Sequence, residues 1–152
     1  LELFDDADRA RWAAQLGYDS IRPFSIEESL APARIGAIIF FIDRTGRRAF
    51  PRGFEQTYGF SEGFASVCDQ GKWFFIDRNG TDLFADRFDE VTNFSRSLAS
   101  VREGTSWFVI DTTGTRLNED PFERVWIDGA GRIRAVVKGV NRLFDAVTRS
   151  LR

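Results

Sequence analysis

Apolar residues fall along this chain in short runs, each closed by the same polar turn. The clearest run is Lys72-Trp73-Phe74-Phe75-Ile76-Asp77-Arg78-Asn79-Gly80. It recurs upstream as Ile38-Ile39-Phe40-Phe41-Ile42-Asp43-Arg44-Thr45-Gly46 and downstream as Trp107-Phe108-Val109-Ile110-Asp111-Thr112-Thr113-Gly114, with the Asp and the Gly 34 residues apart each time. In an extended Lys72 to Asp77, Trp73 and Phe75 point to one side and Phe74 and Ile76 to the other. A strand apolar on both faces suits stacked or radially packed sheets better than a sheet with one wet face. The Asp-x-x-Gly that follows reads as a hairpin turn, its carboxylate accepting backbone N–H groups and its glycine taking a positive φ.

The same interval governs the rest of the chain. Phe54-Glu55 precedes Phe60 as Phe88-Asp89 precedes Phe94, and Tyr18-Asp19 stands likewise before Phe24. A small-residue strand follows each time: Leu30-Ala31-Pro32-Ala33, Phe64-Ala65-Ser66-Val67 and Leu98-Ala99-Ser100-Val101. The first copy carries two extra residues around Ile26-Glu27. The fourth copy keeps Phe122-Glu123 but has Asp128 where Phe94 stands, within the turn-rich Asp128-Gly129-Ala130-Gly131. Ile133 to Val136 restores the closing strand, and Arg142-Leu143-Phe144-Asp145 opens a further copy with Asn141 at the Trp position. Polar replacement in a terminal unit is capping behaviour. Leu3-Phe4-Asp5-Asp6 reads as an imperfect first strand and Ala10 to Leu16 as about two helical turns.

These patterns predict an all-β fold, a tandem array of about four three-stranded units of 34 residues plus a partial fifth, either open and solenoid-like or propeller-like. The open array is the preferred form. The units run roughly 1–35, 36–70, 71–104, 105–138 and 139–152, in a single β-repeat domain that is expected to be a fragment of a longer protein.

Lys72-Trp73, Ile76-Asp77 and Gly80, then Phe88-Asp89, then Phe60-Ser61-Glu62-Gly63-Phe64-Ala65-Ser66-Val67 carry a resemblance to the WG-repeat, or KWG, family. It covers nearly the whole chain. One departure is consistent: the family's Gly after Trp is Phe74 here, with Phe40 and Phe108 in the neighbouring units. The family is a structural class of β-repeats found largely in bacteria, and the resemblance implies a binding or scaffolding role rather than an activity. A weaker resemblance, of Trp73 to Gly80 to choline-binding and glucan-binding hairpins, implies polysaccharide binding; those units repeat at a shorter interval.

Composition narrows the chemistry. The 152 residues are 43% hydrophobic with 16 Phe and carry a formal charge of −2, which gives no global attraction to nucleic acid or anionic membrane. All but Lys72 and Lys138 of the 21 basic residues are arginine. No apolar run reaches the ~20 residues that span a bilayer. With no His, the commonest general base and neutral metal ligand are missing. Cys68, the one cysteine, permits neither an internal disulfide nor a thiolate cluster and reads as an unreactive packing residue. Asp5-Asp6-Ala7-Asp8 lacks the Gly and Glu of a calcium loop. No catalytic residue, metal site or cofactor is expected. The compartment stays open, with the cytoplasm as the default.

The expected function is a non-enzymatic interaction or scaffold module that binds a protein partner through its repeat surface; the alternative is a carbohydrate or cell-wall binding module with aromatic-lined grooves. Trp73 and Trp107, at equivalent positions, read as core fillers. The candidate binding residues are those where the units differ: Trp126 and Arg132 in the degraded fourth copy, and Arg44, Arg47, Arg48 and Arg52 after the first hairpin. Neither nucleic acid nor membrane is expected as a partner.

Overall fold

A computed structural model describes residues 8–25 and 27–152. The expected strand around Leu3 to Asp6, most of the Asp5 to Asp8 cluster, and Ile26 of the insertion lie outside the described residues. Within them the protein is all-β apart from one helix, α1 (Arg9–Leu16). The first antiparallel sheet holds β1 (Ser20–Ile21), β2 (Ala31–Ile35) and β3 (Ile38–Ile42), and the second β4 (Gln56–Ser61), β5 (Phe64–Asp69) and β6 (Lys72–Ile76). The third holds β7 (Glu90–Val91), β8 (Leu98–Glu103) and β9 (Ser106–Asp111). The fourth has four strands, β10 (Arg124–Ile127), β11 (Ile133–Val137), β12 (Val140–Asp145) and β13 (Ser150–Leu151). Each sheet is a meander, and among the described residues no barrel closes.

The sheets are cut in a different phase from the sequence repeat. The Trp-bearing strand that opens a sequence unit is the third strand of its sheet, paired to the closing strand of the unit before, as Cys68 pairs with Trp73. The link after it then runs back along the same strand through bridges Ile76 to Asp82 and Trp73 to Phe88, an irregular fourth edge, before entering the next sheet. Ile42 with Arg48 and Ile110 with Arg116 repeat this. The segment from Val140 to Leu151 supplies the last two strands of the fourth sheet.

Two-sided apolarity now has its explanation. Phe74 and Ile76 pack toward the first sheet with Phe41, Phe54 and Val67. Trp73 and Phe75 pack toward the third with Phe88, Phe94 and Val101. Between the third and fourth sheets lie Val109, Leu117, Phe122, Ala135 and Phe144. Helix α1 covers the far face of the first sheet, Ala13 meeting Ala31, Ala33 and Ile42. Trp73 is buried, as expected; Trp107 is only half-buried.

Repeated acids are used by the scaffold. Asp43, Asp77 and Asp111 each accept two backbone N–H groups inside their own turn, at 2.9–3.1 Å. The acid after each aromatic reaches the hairpin between the second and third strands of its sheet: Asp19 takes Gly36 N–H at 2.7 Å, Glu55 takes Gln70 at 2.8 Å, and Asp89 takes Gly104 at 2.7 Å. A third position ties neighbouring sheets. Buried Glu28 accepts from Gly63 N–H and from Arg78, and Glu62 accepts from the N–H groups of Arg96 and Ser97.

Candidate interaction site

The fourth unit breaks this scaffold at one place. In the second sheet Tyr58 forms a bulge between Thr57 and Gly59, which sets Phe60 opposite Ala65. The ring of Phe60 then packs 4.8 Å from that of Phe41, and in the next interface Phe94 packs 4.8 Å from Phe75. Strand β10 has no bulge. Its register brings Ile127 opposite Ile133, and Ile127 is 59% exposed. The opposing wall has changed as well, since Val109 stands at the position of Phe41 and Phe75. Two rings are thus absent from the third interface of the series, and Ile133, in place of Ala65 and Ala99, returns only part of that volume. What remains is a cleft of about 500 Å³ between the third and fourth sheets, walled by Leu98, Val109, Val125, Ile127 and Ile133.

Asp128, which replaces the aromatic anchor, organises the turn instead. Its carboxylate accepts the N–H groups of Ala130 and Arg132 at 2.9 and 3.0 Å and the Nε donors of Arg132 and Arg134, both at 3.0 Å. Gly131 N–H closes on the Asp128 carbonyl at 2.9 Å, as Gly46, Gly80 and Gly114 do in the repeated Asp-x-x-Gly turn. The unit has exchanged a buried ring for a copy of its own hairpin chemistry. The Arg132 N–H, against a smaller effect of burial, and then the Arg134 guanidinium hold this carboxyl well below the usual carboxylate range. Above the cleft mouth Arg96 donates to the Gly131 carbonyl at 3.1 Å. Arg96 occupies the position of Glu28 and Glu62 and makes the same sheet-to-sheet tie with its polarity inverted.

Of the expected binding residues, Trp126 is 37% exposed at the cleft and Arg132 lies on the turn beside it, held by Asp128. The arginines after the first hairpin are mostly engaged within the protein. Arg44 donates to the Ser25 carbonyl and lies 4.8 Å from the Phe24 ring. Arg48 donates to the Tyr18 hydroxyl and stacks 3.6 Å over Phe40. Arg52 crosses to the second sheet and pairs with Asp82 at 2.6 Å. Arg47 is exposed. The structure therefore joins Trp126 to Arg132 but does not join this pair to the arginine group.

Leu98, Val109 and Arg96 were not among the sequence candidates. Their signal is positional: each departs from, or flanks a departure from, the residue one unit earlier. A second, shallower groove between the first two sheets is bordered by Arg22, Arg34 and Tyr58. Tyr58 stacks on Trp73 at 4.4 Å, and Arg22 donates to the Thr57 carbonyl at 2.7 Å. Burial, then the neighbouring Arg34, lowers the pKa of Arg22. Cys68 is buried, and burial followed by Glu55 and Asp69 pushes its thiol up, so it is protonated at neutral pH. Among the described residues no group of three or more His, Cys, Asp or Glu is placed to hold a metal ion.

The family model described as WG containing repeat matches residues 39–73 and 73–105. No curated protein sequence matches the chain. Among solved structures, Hsv2 of Kluyveromyces lactis is similar with a TM-score of 0.56 and 11% identity over 88% of this chain and 49% of that one. A K. lactis Hsv2 with loop 6CD replaced by a Gly-Ser linker gives 0.54 and 11% over 85% and 50%. Kluyveromyces marxianus Hsv2 gives 0.54 and 12% over 84% and 47%. The likeness is one of fold, a propeller-like succession of small sheets. The chain spans about half the length of these structures.

Proposed function

Because residues 39–105 are WG repeats, we propose that this chain is a non-enzymatic interaction module that binds a protein partner through the surface of its fourth unit. The repeated aromatics and acids are taken up by core, turns and hairpin caps, which leaves the surface chemistry to positions where the units differ. One observation carries the reading: two successive apolar residues of β10 stand exposed, Ile127 at 59% on the face of the apolar cleft and Trp126 at 37% on the opposite face of the same strand. Exposed Trp next to apolar surface is the composition of an interface hot spot.

The second reading, glycan binding, draws on the exposed ring of Trp126 and on Tyr58, 52% exposed and stacked on Trp73. The two are separated by immobilising the chain, exposing it to cell lysate, and probing it in parallel on a glycan array. The expected result is a captured protein whose affinity falls by about 2 kcal/mol or more with Trp126→Ala, and no glycan retained. A retained glycan with no captured protein reverses the order.

A further inference from the structure

Resting on the interaction-module reading, the geometry points to a specific ligand for the cleft between the third and fourth sheets: we propose that it receives an aromatic side chain, of the phenylalanine class, carried on an extended segment of the partner. The argument is internal to the repeat. At the two preceding interfaces the same place is filled from within, by Phe60 against Phe41 and by Phe94 against Phe75, each at a ring separation of 4.8 Å. Both rings lie among apolar neighbours: Phe60 and Leu30 pack against the same core, and Phe94 lies 5.5 Å from the Phe64 ring. At the third interface the pair has become Val109 and the exposed Ile127, while the surrounding frame persists: Leu98 stands for Leu30 and Phe64, and Phe122 for Phe54 and Phe88. The site is therefore shaped for a ring that none of the described residues supplies.

Size and polarity agree with that occupant. About 500 Å³ falls within the range of roughly 300 to 1,000 Å³ usual for small-ligand pockets. The walls are mostly aliphatic, with the small Ser100 beside Val109, and the border is polar, with Thr92, Asn93, Ser95 and Arg96 on one side and the Gly131 turn on the other. Arg96 spends one N–H on the Gly131 carbonyl and keeps guanidinium donors for a main-chain carbonyl of the incoming segment.

The test uses the full chain and a blocked pentapeptide, Ser-Gly-Phe-Gly-Ser, with the same peptide bearing Ala at its centre as control. Side-chain methyl NMR signals of Val109, Val125 and Ile133 report on the cleft. The Phe peptide is expected to shift them saturably, and the Ala peptide to leave them in place. Val109→Phe restores a ring to the wall and should weaken the Phe peptide about tenfold or more by steric exclusion. Ser100→Leu, on the residue paired with Val109 across the strands, blocks the same space should the larger change disturb folding. Absence of saturable shifts, shifts that survive both filling variants, or displacement of the same signals by a cello-oligosaccharide in place of the peptide would overturn the proposal. If the lysate partner is still captured while the peptide fails, the ligand assignment falls and the module reading stands. If the peptide binds and no partner is captured, only the module reading falls.

Discussion

At the scale of single residues, the scaffold shows two distinct demands on glycine. Gly80 has φ +79° and a Cβ added there would lie 2.6 Å from the Phe50 ring of the preceding unit. Gly63 has φ +87° but open space around it. Both positions penalise an L side chain through the left-handed backbone, by about 1–2 kcal/mol. Only Gly80 adds overpacking against an aromatic ring, about 1–3 kcal/mol more. Gly80→Ala is therefore expected to cost more than Gly63→Ala in urea unfolding, by at least about 1 kcal/mol. Equal losses would mean that Phe50 swings away freely and that the turn does not lock adjacent units. The turn acids were legible from sequence because their donors lie within four residues; the glycine clash was not, because Phe50 reaches it across an interface that local patterning does not encode.

At the scale of strands and sheets, alternation along Lys72 to Asp77 foretold the two-sided burial, and the structure places its two faces in different cores. What alternation could not give is the phase. The aromatic-acid pair reads as a feature of one strand, yet Asp89 acts on Gly104 at the hairpin two strands away, a contact that exists only once the meander has folded back. The broken fourth copy was visible as Asp128 in place of Phe94, whereas the lost bulge and the exposure of Ile127 depend on pairing register. Position within the array also separates the two equivalent tryptophans. Trp73 is 7% exposed beneath the Tyr58 ring, so Trp73→Ala should destabilise by about 3–5 kcal/mol. Trp107, half-buried against the less densely filled third interface, should cost less, about 2 kcal/mol. Chemical denaturation of both variants checks the order, and a larger loss at Trp107 would contradict the graded packing of the interfaces.

At the scale of the whole molecule, the array is tied together by carboxylates held ionised at the ends of the strands and in the turns from Asp43 to Asp145. Burial opposes ionisation of Asp43 and Asp111, but the hydroxyl and N–H donors of their turns outweigh it and hold both below the ordinary 3.8. Asp82 is held down against burial by Arg87 and Arg52. Asp89 is lowered by Lys72 and by the Gly104 N–H, Asp145 by the N–H groups of Thr148 and Val147, and Asp128 as described above. Each folded value lies below the unfolded one, so between the two the unfolded chain binds more protons and stability rises with pH. The stabilisation is complete above the ordinary carboxylate value and is lost as pH falls through the depressed folded values. There is no His to titrate near neutrality, and the Cys68 thiol is shifted upward. The urea midpoint should therefore stay level from about pH 7 to about pH 5 and drop steeply below about pH 4. Because the affected acids stand at the strand ends and in the turns that follow or join the four sheets, the loss should be cooperative, with fluorescence from the tryptophans and far-ultraviolet circular dichroism falling together. A decline that begins near pH 6, or a fourth sheet that melts alone while the rest persists, would show that these turn and cap carboxylates do not act as a common tie along the repeat.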